Sequence, residues 1–571
     1  MTRARAGLLV VLVAAAAIRL ASWAEIRGGP LPWLHRWTES DMAFFDAWAQ
    51  AIVAGDVLGR VTPRPYHSGH AGVARTAHEM LGTPGPFDDA VGRAMWARWL
   101  GEHTYYQEPL YAYGLAALFA TAGHRVGAVV LVQAALGVAT AGLVCALTTS
   151  LFGVAAGLAA GLLAALYGPA VFHESLLLRD GPVVFAAVAT LAAVVAALRA
   201  PRTRGWVFAC GVLFGLGLLL KSSSALFAAV AALVIVRRFG RRAWPLAAGV
   251  LLVLAPLVAR NVIVGAPPLA LAASGPHAFL YYNAADYDPF GGSATSAFAP
   301  RIMGTTDGHW LPVVRDTIAT HRSVGAWLGL VGAKFGAAWH WLEVPDNASY
   351  AYWRLEAPRA ARFAVEFWMI APLFVAGVIA VRRAPAAWLT VLLVATTLAA
   401  NALFYTSSRL RLPVAIAMTP LAGLGLVELL GTVAARQWRR AMVLSAASLV
   451  TALFVLRAPP PGHMGLRVAD YGVANEITMH LARRRAAAGD VAGARALVAR
   501  RLETEPPALR AVNPAEGRSR LPALDAAVAG SFAQLSELAA RLENGEGASA
   551  HAEHARHLRV IAGHYASAER P

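Results

Sequence analysis

The stretch Thr38-Glu39-Ser40-Asp41-Met42-Ala43-Phe44-Phe45-Asp46-Ala47-Trp48 puts carboxylates within a few residues of the end of an apolar run. A carboxylate held in a partly dry setting at a membrane surface can act as a general base. The plain alternative is that Glu39, Asp41 and Asp46 form an ordinary solvated helix start. Helical periodicity runs from Asp41 to Ala54 and ends near Gly55-Asp56.

A second stretch, Tyr105-Tyr106-Gln107-Glu108-Pro109-Leu110-Tyr111, sits where the chain re-enters an apolar run. Asp41 and Glu108 could meet there, one as base and one as orienter or metal ligand. The alternative makes Glu108 an interfacial polar residue, Pro109 the first helical residue and the tyrosines membrane anchors. Next comes His173-Glu174 with Arg179-Asp180 beside two apolar runs. Such a group is costly in a bilayer unless paired or near water. His173 and Glu174 do not share a helix face, so they make a poor metal pair. Arg260-Asn261 ends a later run and is followed by Gly275-Pro276-His277 and an aromatic stretch, Phe279 to Tyr287. Lys334 stands in another apolar run. Ser407-Ser408-Arg409-Leu410-Arg411-Leu412-Pro413 places two cations against the usual membrane bias. Cations so placed suggest an anionic ligand such as a lipid phosphate, or contact with anionic headgroups.

The elements that must hold these residues are membrane spans. Of 571 residues, 57% are hydrophobic and 15% charged, and the mean hydropathy is +0.52. The apolar residues come in runs near the length needed to cross a bilayer. The fold class is therefore an all-α polytopic membrane protein with about 11 to 13 spans. The net charge of +17 points to positive-inside topology and anionic membrane lipids, not to nucleic acid. Only two of the 50 basic residues are lysines, Lys221 and Lys334. Cys145 and Cys210 lie in apolar runs and suggest no disulfide framework. No P-loop, GxGxxG, HExxH or kinase signature appears, which argues against a cytoplasmic nucleotide site.

In order, residues 1–24 form a first anchor, read as uncleaved despite its likeness to a signal peptide. Residues 25–108 form a long loop carrying the candidate catalytic residues and several histidines. Residues 109–263 form a bundle of spans, with short pieces around Leu110 and Lys221 that upset the parity of the crossings. Residues 264–342 form a second loop with an interfacial helix from Val324. Residues 343–457 hold the last spans. Basic clusters at Arg202/Arg204, Arg237/Arg238/Arg241/Arg242, Arg382/Arg383 and Arg436/Arg439/Arg440 mark the cytoplasmic side. Both loops then face the periplasm. Past Pro459-Pro460-Pro461, residues 458–571 read as a helical tail. It includes two helices broken at Gly489-Asp490, loosely like one tetratricopeptide pair.

Several motifs together resemble the GT-C glycosyltransferases. Ser40-Asp41-x-x-Phe44-Phe45-x-x-Trp48-Ala49, ending in Gly55-Asp56, and Tyr106-x-x-Pro109-Leu110-Tyr111 are similar to that superfamily's first loop. The nearest branch holds the protein O-mannosyltransferases and the aminoarabinose transferases. Arg260-Asn261 with Gly265 is similar to its end-of-span motif. Arg409-Leu410-Arg411-Leu412-Pro413 is similar to its Arg-Tyr-Arg-Leu-Pro motif, with Leu410 for Tyr. Met42 stands where the family often has Glu, and the tail is outside the pattern.

The resemblance implies a transferase in a bacterial inner membrane that moves a hexosyl or pentosyl unit. The donor would be a polyprenyl-phosphate sugar, and the acceptor a periplasmic protein, lipid or glycan. Asp41 would be the base, acting with inversion, and Glu108 a second carboxylate near it. Arg409, Arg411, Arg260 and Lys334 would hold the phosphate. His173, Glu174, Arg179 and Tyr106 would be accessory. No cofactor is implied with certainty; a divalent ion, Mg or Mn, stays open. The competing reading is a transporter or flippase for lipid-linked glycans, which should show internal repeats and midplane charges. No repeat is visible.

Overall fold

The computed structural model describes residues 3–60, 64–199, 204–291, 296–381, 387–460, 463, 465, 468–506, 509 and 522–567. Arg202, Arg382, Arg383 and Pro461 lie outside the described residues. Within them the chain is helical and no strand forms.

Helix α1, Arg3–Ile26, is the first span. The first loop carries α2, Asp41–Val53, α3, Ser68–Met80, and α4, Asp89–Leu100. Then follow α5, Leu110–Ala122, α6, Val126–Phe152, α7, Val154–Ala165, and the short α8, Gly168–His173. After them come α9, Asp180–Arg199, α10, Arg204–Leu220, α11, Ala225–Phe239, and α12, Trp244–Val264. The second loop holds α13, Gly275–Asn283, α14, Ala299–Thr306, α15, Trp310–Ile318, and α16, Val324–Ala338. Two short helices, α17, Tyr350–Glu356, and α18, Pro358–Ala361, lead to α19, Phe367–Ala380, α20, Trp388–Leu403, α21, Ser408–Ala434, and α22, Trp438–Val455. The tail adds α23, Val468–Ala487, α24, Val491–Leu502, α25, Pro522–Leu542, and α26, Glu546–Ser567.

Each span expected from the sequence has a helix at its position. Among the described residues, 6 helical stretches are long and apolar enough to cross a membrane: α1, α6, α9, the run Ser222–Val264 that joins α11 to α12, α21 and α22. Shorter apolar helices, among them α5, α7 and α16, join them. The 13 residues of α5 rise only about 20 Å, against a hydrocarbon core of about 30 Å. That short piece is one of the two that upset the parity of crossings in the sequence.

Small residues let the spans meet backbone to backbone. On α21, a Cβ at Gly423 would lie 2.6 Å from both Ala156 O and Ala160 N of α7. Membrane helices associate through such small-residue contacts because lipid supplies no hydrophobic drive between them. The helix α21 runs from the loop face, where Arg409 stands, to the side bearing Arg436, Arg439 and Arg440. Its 27 residues span about 40 Å.

The tail has its own core, with Phe532, Leu535 and Leu558 fully buried. Gly489 takes φ +85° at the break between α23 and α24, and Asp490 caps α24 by accepting from Gly493 N–H. The tail docks on the stretch that follows the second loop. Arg501 donates to Tyr352 Oη at 2.7 Å and to Glu356 Oε1 at 2.9 Å, and Ser349 Oγ bonds Asp470.

Candidate active site around Asp41

Asp41 is the first residue of α2, and Ser40 caps the helix by accepting from Ala43 N–H at 3.1 Å. Phe45, Trp48, Ala49 and Ile52 repeat at i, i+3, i+4, i+7 and are buried as one face. The tyrosines of the second stretch clamp that helix. Trp48 meets Tyr105 at 5.0 Å between ring centres, Phe44 meets Tyr106 edge-on at 5.4 Å, and Phe45 meets Tyr111 edge-on at 5.0 Å. These three tyrosines are buried and so are not anchors in a lipid interface. Tyr106 serves the site as packing.

Three side chains hold Asp41. Arg409 Nη1 donates to Oδ2 at 2.6 Å. Gln107 Nε2 donates to Oδ1 at 3.0 Å. Asn347 Nδ2 donates to Oδ2 at 3.1 Å, and its Oδ1 accepts the Asp41 backbone N–H at 2.7 Å. Arg409 is itself fixed: its Nε donates to Asp346 Oδ2 at 2.6 Å and its Nη2 to Tyr405 Oη at 2.9 Å. Tyr405 stacks on Tyr282 with 3.9 Å between ring centres. One guanidinium thus bridges two carboxylates, and Asp41, 23% exposed against 10% for Asp346, is the more open of them. Burial alone would raise the Asp41 carboxyl; the Arg409 charge and hydrogen bond outweigh it and hold the group below the usual carboxylate range.

The other expected residues lie nearby with different partners. Glu108 does not bond Asp41; its neighbour Gln107 does. Glu108 pairs with Arg179 and accepts the Ser222 N–H at 2.6 Å. Burial works against its charge, but Arg179 and the Ser222 donor hold it low. His173 Nε2 lies 3.1 Å from Ser408 Oγ, next to Arg409 in sequence, and its Nδ1 lies 3.7 Å from Asp180. Glu174 takes a two-point ion pair from Arg19 of α1, at 2.6 and 2.8 Å.

Three of the cations expected to hold phosphate are directed elsewhere. Arg260 donates to the carbonyls of Leu58, His103 and Gly59 at 2.7 to 2.9 Å and stacks over Tyr105. It staples the first loop to α12. Lys334 is fully buried and donates to Asn283 Oδ1 and Phe404 O, each at 2.8 Å. Arg411 is buried against Phe367 and pairs with Glu343 at 2.6 Å. The physical reason is shared. Irregular backbone near a membrane must have its carbonyls satisfied by protein, and long cations reach them.

The cation that the sequence did not single out as a ligand is Lys221. It lies at the end of α10 on the edge of a partly open cavity between α9, α10, α11, α20 and α21. The walls are mostly apolar, including Val183, Phe214, Phe227 and Leu393, with Asn401 and Ser224 among the polar groups. No hydrogen bond or ion pair among the described residues engages its ammonium. Lys221 and Asp41 share Arg179 and Arg409 as charged neighbours. The rarity of lysine in this arginine-rich chain was the signal available for it.

A histidine cluster joins the first loop to α13 of the second. His277 stands edge-on to Trp96 at 5.1 Å and against Tyr281 at 4.3 Å, and His70 lies edge-on to Trp96 at 4.6 Å. Burial, aided by His67, lowers His277 to about 4. A His lowered in the folded state resists protonation while the unfolded chain accepts it near 6.5. Stability is therefore lost as pH falls below about 6.5, by roughly 1.4 kcal/mol per pH unit for this group, until about pH 4. The thermal midpoint of the purified chain should drop between pH 7 and 5.5, and His277→Phe should flatten that slope. Equal slopes in both proteins would remove His277 as the cause.

Residues 103–262 match the family model described as dolichyl-phosphate-mannose-protein mannosyltransferase. That segment runs from His103, beside the Tyr105–Tyr111 stretch, through Arg260. No curated protein sequence matches the chain. Among solved structures, ArnT from Cupriavidus metallidurans bound to undecaprenyl phosphate is 16% identical, with a TM-score of 0.34 over 92% of this chain and 77% of that one. The archaeal oligosaccharyltransferase AglB from Archaeoglobus fulgidus, in complex with an inhibitory peptide and a dolichol-phosphate, is 14% identical, with a TM-score of 0.37 over 83% of this chain and 58% of that one. The family match covers the segment that supplies Gln107, Glu108, Arg179 and Lys221, so this polytopic helical chain is similar there to the protein mannosyltransferases.

Proposed function

We propose that the chain transfers a sugar from a polyprenyl-phosphate carrier to an acceptor hydroxyl, with Asp41 as general base. The observation that carries this is a partly open carboxylate that shares the charged neighbours Arg179 and Arg409 with an ammonium on the edge of an apolar cavity. The matched family is named for a lipid-phosphate sugar donor, which supports the donor class. In this reading the lipid tail lies in the cavity and its phosphate meets Lys221 and Arg179.

Asp41 takes the proton of the acceptor hydroxyl, and that oxygen attacks the anomeric carbon opposite the phosphate. The carbon–oxygen bond to phosphate breaks, configuration inverts, and polyprenyl phosphate leaves with its charge neutralised by the cations. A carboxylate paired to Arg409 is a weak base. Donor phosphate competing for Arg409 would restore basicity as the substrate settles. The donor set at Asp41, two carboxylates already bridged by a guanidinium, does not fit a divalent ion, and no step runs through one.

The periplasmic face of a bacterial inner membrane is the proposed setting. It is supported by Arg436, Arg439 and Arg440 lying past the far end of α21 from Arg409. The acceptor would be a protein, lipid or glycan reaching the loop face.

The test is release of polyprenyl phosphate from a panel of polyprenyl-phosphate sugars by the detergent-purified chain. Lys221→Met should raise the apparent KM for donor by about 10- to 100-fold, the effect of losing a charge-assisted hydrogen bond of about 1.5–3 kcal/mol. An unchanged KM would remove Lys221 from the phosphate site. Arg409→Ala should move the acid limb of the pH–rate profile to higher pH, because the largest counterweight to burial at Asp41 is then gone and only Arg179 and Asn347 still lower it.

A further inference from the structure

The strongest unassigned cluster lies behind α2. His35, Asp46 and His124 each offer one ligand atom, and these atoms all lie within 4.8 Å of one another. His35 comes from the turn Leu31–Arg36, Asp46 from α2, and His124 from the link between α5 and α6. Three separate chain segments thus converge on one point. Asp46 follows Asp41 by five residues, about 140° around the helix. The cluster and the Asp41 centre therefore occupy different faces of the same helix.

We propose that His35, Asp46 and His124 form a zinc-class metal site that pins α2 in place.

Two features besides proximity support a ligand set. The His35 Nδ1 lies 3.1 Å from Pro32 O. A ring N–H donated to that carbonyl fixes the tautomer and leaves the lone pair of Nε2 for a metal, the usual outer support of a ligating histidine. Asp46 is oriented in the same way: its Oδ2 accepts from Gln50 Nε2 at 2.7 Å while Oδ1 faces His124 Nε2 at 2.6 Å. Stacking of Trp33 on His35 and the edge contact of Phe119 with His124 make an apolar wall around the set.

Two imidazoles and one carboxylate suit a borderline cation such as Zn²⁺ better than Mg²⁺ or Ca²⁺, which favour all-oxygen shells. Zinc bonds of about 2.0–2.2 Å need only small side-chain shifts from this geometry. The His124 side chain is 43% exposed, which gives the ion a way in and leaves room for a water as fourth ligand. The function of such an ion is mechanical. It would tie the turn after α1 and the α5–α6 link to the helix that presents Asp41.

The test uses the full-length, untagged, detergent-purified chain, stripped with EDTA and freed of chelator. Zn²⁺ is titrated against a chromophoric competitor, and Co²⁺ is added separately to read its visible absorption bands. One tight equivalent is expected in the wild type and in His277→Ala, which lies in the other histidine cluster. That equivalent and its cobalt bands should vanish in His124→Ala, a half-exposed loop side chain, and in Asp46→Asn. Zinc should raise the thermal midpoint of the wild type and not that of His124→Ala. Equal binding in wild type and His124→Ala, or no binding in the wild type, would overturn the site. None of these readouts depends on sugar transfer, so the transfer reading and the metal site fail separately.

Discussion

Asp41→Asn should lower sugar transfer by about 10²- to 10⁴-fold, the range for losing a positioned general base. The substitution keeps the shape of the side chain and its place at the start of α2. It removes the one group at the centre that can take a proton from an acceptor while facing solvent. The fold should persist, because Arg409 keeps Asp346 at 2.6 Å and Tyr405 at 2.9 Å. The guanidinium is not left as an unpaired buried charge. Folding is checked by the thermal midpoint and elution of the purified variant, and rate by release of polyprenyl phosphate.

Asp346 supplies the internal control. It touches the same guanidinium but is less exposed than Asp41, so it serves as the anchor of Arg409. Asp346→Asn should slow transfer less than Asp41→Asn and should act mainly through donor KM. Near-normal turnover in Asp41→Asn beside a dead Asp346→Asn would exchange the two roles. Near-normal turnover in both would leave the site without a base and favour a protein that moves lipid-linked glycans without chemistry.

Asp41 and Arg409 were legible because residue type and local order mark them: a carboxylate at a helix start in the loop after the first span, and a cation at the head of a later span. Their partners were not. Asn347 is 306 positions from Asp41 in sequence. Asp346 and Asn347 arrive from the turn after α16, where nothing local sets them apart. Gln107 was hidden by its neighbour Glu108, since a carboxylate attracts attention that an amide does not. The direction of a side chain over a single residue step is fixed by tertiary packing, here by Tyr105, Tyr106 and Tyr111 on α2.

The cations show the limit more sharply. Arg260, Lys334, Arg409 and Arg411 look alike as basic residues near span ends. What separates them is the acceptor each one reaches, and backbone carbonyls carry no sequence signature. Leu58, Gly59 and His103 offer Arg260 its acceptors, and those carbonyls are exposed by loop geometry alone. The spans themselves were easier, because about 20 apolar residues is a constraint set by the bilayer and not by the partner.

Arg19→Met or Glu174→Met alone should destabilise the chain by about 3–5 kcal/mol, while the double variant Arg19→Met/Glu174→Met should be far milder. Arg19 looked in the sequence like an interruption of the first span; it lies inside α1 and is buried. Its Nε and Nη2 meet both Glu174 oxygens, and its Nη1 donates to Ala15 O at 3.1 Å and Ala165 O at 3.0 Å. Gly137 of α6 makes the room: a Cβ there would collide with Glu174 Oε1 and the Arg19 guanidinium. Either single change leaves one charge buried without its partner, which costs more than the pair contributes. Removing both leaves an apolar contact of similar volume. The double-mutant cycle on thermal or denaturant unfolding isolates this coupling. Additive single effects would show that the two charges are not a unit. The consequence reaches the active site through hydrogen bonds. Gln133 Nε2 donates to the Glu174 and Leu176 carbonyls at 2.8 and 2.7 Å, and its Oε1 accepts from Tyr111 Oη at 3.0 Å. Tyr111 packs on Phe45 of α2, four residues from Asp41. The double variant should therefore keep transfer at low temperature, whereas each single variant should lose it together with the fold.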